Sequence, residues 1–466
     1  MNRISKIITL LMTVLIAVSF AVSCTNPNGL SDPTATNSPD ATGQPAENTD
    51  APASEEIVGK VNGEPIYSNE FYYFLYQAFR EMYFSAEGLY DDTLSEEENL
   101  AKMKEYFYSV DEDGVKVLSK AVDRTLDIST GFKIAYQLGK EAAETHGDKY
   151  SVSEETLSQM LEYIDGEADY GASVYGTTRD DFFFYVYGMN VNEAKRYTEQ
   201  QLYAELHETY WSDENGYSFD AEMPEPPTAP ADDASDVDKA AYEAALAEYE
   251  TKLSEYNELK AKHYELFRAE FDADKSAYTI KTIRYMLLSK TDEEGAPLSE
   301  DEINAKREKA QSYIDLVKGG HSFEGIVKGF SESDTAASDY GLCDVNYYNE
   351  AIASVPEKLI EWAIGTEELS AEPVLAESDD AIYLVMLCGI TDFDTTTGIV
   401  ADDTTSNPEA VRSSVEYDFL SREYNAFIEA KMKEDKYAVT DENRELMEKL
   451  ATDYLEYSVE DSGIEE

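Results

Sequence analysis

The residues able to do chemistry are few and widely spaced. The chain of 466 residues holds four histidines, His146, His207, His263 and His321, and three cysteines, Cys24, Cys343 and Cys388. The histidines show no metal-ligand spacing with one another or with cysteine. His207-Glu208 lacks the second His of a zinc-protease helix, and no Gly-rich phosphate loop follows a strand. No metal and no cofactor are therefore expected. Cys343 and Cys388 fall on expected strands, where a thiol acts as a small buried apolar residue; a redox pair is the alternative. Tyrosine is abundant, at 35 residues. Most of it falls on helical stripes and reads as core. Tyr285 and Tyr383 each stand in a β-prone run, and each alone reads as strand packing.

Cys24 is the exception. Arg3 and Lys6 make a basic start, and an apolar run from Ile7 to Val22 ends in Ala21-Val22-Ser23-Cys24. The run is short for a spanning helix and closes on small residues, so it reads as an export signal. The ending resembles the bacterial lipobox, although the pattern prefers Leu where Ala21 stands. That resemblance implies acylation of Cys24 and a lipid anchor on the extracytoplasmic face of the cell membrane. An ordinary cleaved signal with an incidental Cys is the alternative. Thr25 to about Ser54 holds almost no large apolar residue and reads as a disordered tether, with a reach of roughly 30 Å.

The formal charge of −60 repels nucleic acid and anionic headgroups, which argues against both as partners. It reads first as solubility and solvated helix faces, and second as a surface that recruits cations or basic clients. A hydrophobic content of 42% supports real cores, and the length suits two or three domains.

Order is expected from Ile57. Val58 to Ile66 carries an Asn62-Gly63 turn between β-prone runs, and Ser68 offers a helix N-cap. Phe71, Phe74, Leu75, Ala78, Phe79 and Met82 line one face of the helix that follows. Helical patterns run from about Val115 to Ala143, from near Ser153, and from about Asn192 to Trp211. After Pro224, Pro226, Pro227 and Pro230 comes a long helix to about Phe271. In it Tyr242, Leu246, Tyr249, Leu253 and Tyr256 step by four and three, a coiled-coil seam pattern. It is either an arm folded back on the helical body or one more core helix. From Tyr278 the texture changes. Thr279 to Ser289 is a strand, Asp301 to Lys318 a helix stopped by Gly319-Gly320, and Phe323 to Phe330 a second helix. A helix near Val355 to Ile364 and strands at Pro373 to Leu375 and Ala381 to Cys388 complete a β-α-α-β-α-β-β unit. Thr395 to Pro408 is linker-like, Pro408 to Lys436 is helical, and the tail from about Thr440 is partly helical.

Two stretches match known families. Val58-Gly59-Lys60-Val61-Asn62-Gly63-Glu64-Pro65-Ile66 with Phe71 resembles the start of the chaperone domain of SurA- and PrsA-type foldases. Ile283-Arg284-Tyr285-Met286-Leu287-Leu288-Ser289 resembles the opening strand of parvulin prolyl isomerases. Gly319-Gly320-His321-Ser322-Phe323, Phe330-Ser331-Glu332-Ser333, Gly341-Leu342, Gly365 with Pro373-Val374, and Ile382-Tyr383-Leu384-Val385 follow in parvulin order. The whole resembles a PrsA-type foldase lipoprotein. That implies an α+β fold: a mainly helical chaperone domain with an inserted parvulin-like module, a four-stranded antiparallel sheet flanked by helices. The implied limits are a signal at 1–23, a tether at 24–55 and a helical domain at 56–275 with an insert at about 224–271. A parvulin-like domain follows at 276–392, and a C-terminal helical segment at 393–466 packs on the chaperone domain.

The resemblance also implies a site. Parvulins carry two histidines on adjacent strands; here both positions hold tyrosine, Tyr285 and Tyr383. The third polar position falls at Ser333 or Asp334, and the substrate pocket near Leu342, Ile352 and Val355 with Trp362 behind. Two phenols can keep a buried hydrogen-bonded pair and retain reduced isomerase activity. Alternatively the module is a non-catalytic peptide-binding platform. The implied clients are unfolded exported proteins containing X-Pro bonds.

Overall fold

The computed structural model describes residues 56–85, 96–147, 149–231, 235–292, 295–332, 341–345, 355–401, 406–440 and 443–456. Cys24, the expected signal and the expected tether lie outside them. Among the described residues no helix is long and apolar enough to cross a membrane. The chain divides into two units, one of residues up to Glu214 together with Tyr424 onward, the other Asn215–Glu423.

The first unit opens with strands β1 (Ile57–Val61) and β2 (Glu64–Tyr67). Their turn is Asn62-Gly63, with φ of 50° and 87°. Two successive left-handed residues match the twist of a two-residue hairpin, and Asn-Gly is the pair that tolerates them. Helices α1 (Ser68–Ser85), α2 (Glu96–Tyr108), α3 (Val117–His146), α4 (Glu154–Tyr175), α5 (Arg179–Tyr187) and α6 (Val191–Glu214) follow. Ser153 caps α4 by accepting from the Thr156 N–H, and Gly176 ends it at φ 66°. Phe71, Leu75 and Phe79 of α1 are fully buried with Phe107, Val122 and Ile134, and the same core takes Ile428, Met447, Leu450 and Leu455 from the far end of the chain.

That core also holds charge. Lys133 of α3 is fully buried. Its amine lies 2.7 Å from a Glu70 carboxylate oxygen and donates to Gln200 Oε1 at 2.7 Å. Asn69 donates to Glu193 at 2.6 Å, and Glu193 in turn accepts from the Asn190 N–H at the start of α6. The network joins α1, α3 and α6 at fixed register.

A second polar group sits further along α6. His207 Nδ1 is 2.7 Å from the Tyr424 hydroxyl. Burial pushes the His207 pKa down to about 4, with Lys431 adding to the effect. Burial pushes Glu205 up to about 7; Gln201 donates to it and Glu208 repels it. The signs oppose each other. Raised Glu205 stabilises the fold when protonated, and that contribution is lost as pH rises from the ordinary carboxylate value to about 7. Depressed His207 contributes stability that is lost as pH falls through 6.5 toward about 4. Glu205→Gln removes only the first. Its urea midpoint should match wild type near pH 4.5 and exceed it progressively up to about pH 7. A constant difference across that range would rule out ionisation of Glu205 as the cause.

The second unit begins with an extended run and a helix. Between 221 and 230 only Ala221, Pro224, Pro227 and Pro230 are partly buried, a period of three. That is the repeat of polyproline II. Helix α7 (Asp236–Tyr264) is 29 residues, about 44 Å long. Tyr242, Leu246, Tyr249, Leu253 and Tyr256 are its half-buried stripe. The Phe219 ring stands 5.5 Å from Tyr256 and 5.3 Å from His263. Phe219, just before the proline run, thus packs on the C-terminal half of this helix. Helices α8 (Arg268–Ala273) and α9 (Lys275–Tyr278) lead into the sheet, and Tyr264, Phe267, Phe271, Tyr278 and Phe393 form a core with Val411 and Val415.

The remaining elements are β3 (Ile280–Ser289), α10 (Glu300–Lys318), α11 (Phe323–Phe330), β4 (Leu342–Val345), α12 (Glu357–Ile364), β5 (Val374–Glu377), β6 (Ala381–Thr391) and β7 (Thr396–Gly398). Helix α13 (Pro408–Met432), β8 (Val439–Thr440) and α14 (Arg444–Glu456) end the described chain. Ser299 and Glu302 form a reciprocal capping box at the start of α10.

The fold is α+β, and the expected element order holds from β3 to β6. The strand count is corrected from four to five. The sheet runs β4-β3-β6-β5, all antiparallel, with β7 also on β6. Thr396–Gly398 had been expected in a linker. Asp392 accepts from the N–H groups of Asp394 and Thr395 and turns the chain back onto Gly389–Thr391. A two-residue strand was also unforeseen: β8 pairs with β1 and completes a sheet of order β2-β1-β8.

Candidate functional site

The central strands β3 and β6 pair along their whole length. Tyr285 lies opposite Val385, and Leu287 opposite Tyr383. Directly opposed residues share a face, and so do residues two apart along one strand. The two phenols are therefore diagonal neighbours on one face of adjacent strands. Both are 4% exposed. They share a core with Ile283, Val385, Leu359, Ile360 and Ala363, and Val355 and Trp362 pack against it. Helix α12 supplies Leu359, Ile360, Trp362 and Ala363 and so roofs this face. The opposite face carries Met286, Leu288, Ile382 and Leu384 against α10 and α11. The Tyr383 hydroxyl is 3.5 Å from Ser378 Oγ, which also accepts from the Ala381 N–H. Ser378 was missed in the sequence, where it reads as a hairpin residue and nothing more.

Strand parity separates one expected pocket residue from the rest. Leu342 pairs with Arg284, so it faces away from Tyr285; Cys343 pairs with Ile283 and joins the tyrosine face. Motif order cannot resolve a one-residue parity, because a single step moves a side chain to the other face. Ser333, Asp334 and Ile352 lie outside the described residues, but the chain flanking the first two is described. Ser331 Oγ accepts from the Leu287 N–H at 3.2 Å, and the Glu332 N–H donates to the Leu287 carbonyl at 2.8 Å. On the far side of the gap the Tyr285 N–H donates to the Gly341 carbonyl at 2.8 Å. Ser331 and Glu332 are thus tied to β3 at Leu287, and Gly341 is tied to it at Tyr285. Gly341 has a φ of 67°, and a Cβ there would stand 1.9 Å from the Tyr285 carbonyl oxygen.

Ion pairs brace the frame. Arg307 donates to Glu377 at 3.0 Å and Lys290 lies 3.0 Å from the same carboxylate; Arg307 first, then Lys290, hold Glu377 below the usual carboxylate range. Lys306 bridges Glu332 and the Ser289 carbonyl at 2.7 Å each. Cys388 is the extra residue of a β-bulge, since Thr282 pairs with Gly389 and Ile283 with Leu387. Burial pushes its thiol up. Cys343 and Cys388 are not joined in a disulfide.

No family model and no curated protein matches the chain. Solved structures do, among them two described as peptidylprolyl isomerase (PrsA). The one from Bacillus anthracis is 15% identical, with 66% of this chain and 98% of that chain covered and a TM-score of 0.20. The one from Bacillus cereus is 14% identical, with 75% and 98% covered and a TM-score of 0.21. The structural neighbours are thus PrsA peptidyl-prolyl isomerases. At these TM-scores they carry no argument about this chain's site, which stands on its own geometry.

Proposed function

We propose that the chain is an extracytoplasmic foldase, anchored by lipid on Cys24, whose five-stranded module isomerises X-Pro bonds in exported proteins. One observation carries the catalytic part: two phenols stand side by side on adjacent strands, with Glu332 and Gly341 bonded to the same strand as Tyr285. Rotation about X-Pro breaks no covalent bond and needs no cofactor. The barrier to be lowered is about 18–20 kcal/mol and comes from amide resonance. Twisting the amide makes the proline nitrogen more basic and weakens the carbonyl as an acceptor. A hydroxyl that donates to the nitrogen only in the twisted state lowers the barrier without tightening ground-state binding. Tyr285 and Tyr383 are that donor pair, Ser333 or Asp334 the third polar group, and Val355, Ile352 and Trp362 the grip on the ring. The helical unit, with its core closed by the last helix, holds the client.

A second reading rests on the depth of the two rings. At 4% exposure each, they also suit a packed platform that binds peptide without catalysis. Tyr285→Phe separates the two. It removes one oxygen and keeps the ring, so the fold should stand. The isomerase kcat/KM on a short X-Pro peptide should fall about tenfold or more, the scale of one lost transition-state donor. An unchanged rate would assign the phenol to packing.

A further inference from the structure

The free edge of the five-stranded sheet is a second candidate contact. Among the described residues β5 pairs only with β6. The Ser378 N–H donates to the Ala381 carbonyl at 3.0 Å. Alternation from that bonded pair makes Ala376/Tyr383 and Val374/Val385 the bonded pairs as well. The N–H and C=O of Leu375 and Glu377 therefore point outward, away from the sheet. Protein edges are usually blunted by burial, bulges or inward charge. This one shows exposed apolar side chains on both faces: Val374 and Leu375 are each 40% exposed. Lys290 and Arg307 are engaged by Glu377 and Lys318 by Glu372, and the flanks are acidic, with Glu367, Glu368, Asp379 and Asp380 exposed.

We infer that the outer edge of β5 takes a cationic, extended segment of an unfolded polypeptide as an added strand. The open backbone groups supply the ladder, Val374 and Leu375 the side-chain contacts, and the carboxylates the choice of charge. A second copy of the chain is disfavoured as occupant, because edge-to-edge pairing would oppose two acidic flanks on chains of charge −60. The inference rests on the foldase reading and gives its client a chemistry: alternating β-prone residues flanked by Lys or Arg. The added strand lies about 10 Å from β6, two strand spacings from Tyr383. Proline cannot donate to the ladder, so an X-Pro bond in such a client falls where the nitrogen faces away from β5 or beyond the end of the added strand.

The test is fluorescence anisotropy with the full chain and a labelled Lys-Lys-Thr-Val-Thr-Val-Thr-Lys-Lys peptide. Leu375→Pro deletes an outward N–H and no bond to β6. It should weaken binding about tenfold or more, whereas Leu375→Thr, which keeps the N–H, should weaken it less. Replacing the peptide's Lys by Glu, or raising salt, should also weaken binding. N-methylation of alternate peptide residues repeats the test on unaltered protein, which matters if Leu375→Pro fails to fold. Equal affinity for the methylated and plain peptides, or for folded Leu375→Pro and wild type, overturns the added strand. Stronger binding of the Glu peptide overturns the charge assignment. X-Pro acceleration measured on the same preparations keeps the two ideas apart: acceleration without peptide binding sinks only the edge, and binding without acceleration sinks only the isomerase.

Discussion

Lys133→Met should destabilise the helical unit by about 3–5 kcal/mol, because it leaves the Glu70 carboxylate buried without its cation. The pair is enclosed, with side chains 1% and 6% exposed. Methionine matches the lysine stem in length, so packing is nearly conserved and the loss reports the charge. The double change Lys133→Met with Glu70→Gln should recover most of that loss. Replacing both ions of a buried pair by well-fitting neutral groups is often close to neutral. Urea unfolding followed by far-ultraviolet circular dichroism measures both. A double variant as unstable as the single would mean that Lys133 acts through its bond to Gln200 and not through Glu70.

Gly341→Ala carries the second large effect, and it tests the site as well as the fold. The position combines a left-handed backbone with a Cβ that would stand 1.9 Å from the Tyr285 carbonyl oxygen. The backbone conformation costs a non-glycine residue about 1–3 kcal/mol, and forced overpacking costs about 1–3 kcal/mol more. The strand edge has to give way at the hydrogen bond between Gly341 and Tyr285. Thermal unfolding should therefore start earlier, by several degrees. X-Pro activity should fall further than in Tyr285→Phe, since the Gly341 bond that fixes the Tyr285 backbone goes with it. Normal stability and full activity together would show that β4 tolerates displacement and that Gly341 does not position the site.

Local signals explain what the chain discloses before folding. Ser153 and Gly319-Gly320 mark helix ends because each satisfies backbone groups within a few residues, whereas the Ser299 and Glu302 box and the Gly176 stop were missed in the sequence. Asn62-Gly63 marks its hairpin for the same reason. The order β3 to β6 was legible because period-two and period-3.6 runs alternate there. What stayed hidden depends on partners distant in sequence. The stripe from Tyr242 to Tyr256 announced a half-buried face, but nothing local said that Phe219 would pack on Tyr256. Strands as short as β7 and β8 hold too few residues to show alternation. Lys133 looks like a surface lysine until Glu70 and Gln200 are brought to it from 63 and 67 positions away. At the site, Tyr285 and Tyr383 share one sheet face, and Val355 and Trp362 pack against it. Leu342 faces the other way, a parity set by pairing with β3.

The central claim is that the tyrosine face catalyses X-Pro rotation. The most direct measurement is refolding of a proline-limited protein substrate, with the full chain at substoichiometric amounts. The account predicts that the slow phase accelerates in proportion to the amount of chain added, and that Tyr285→Phe with Tyr383→Phe abolishes the acceleration while the circular dichroism spectrum is unchanged. A slow phase that keeps its uncatalysed rate at every concentration, with the chain folded, would contradict it.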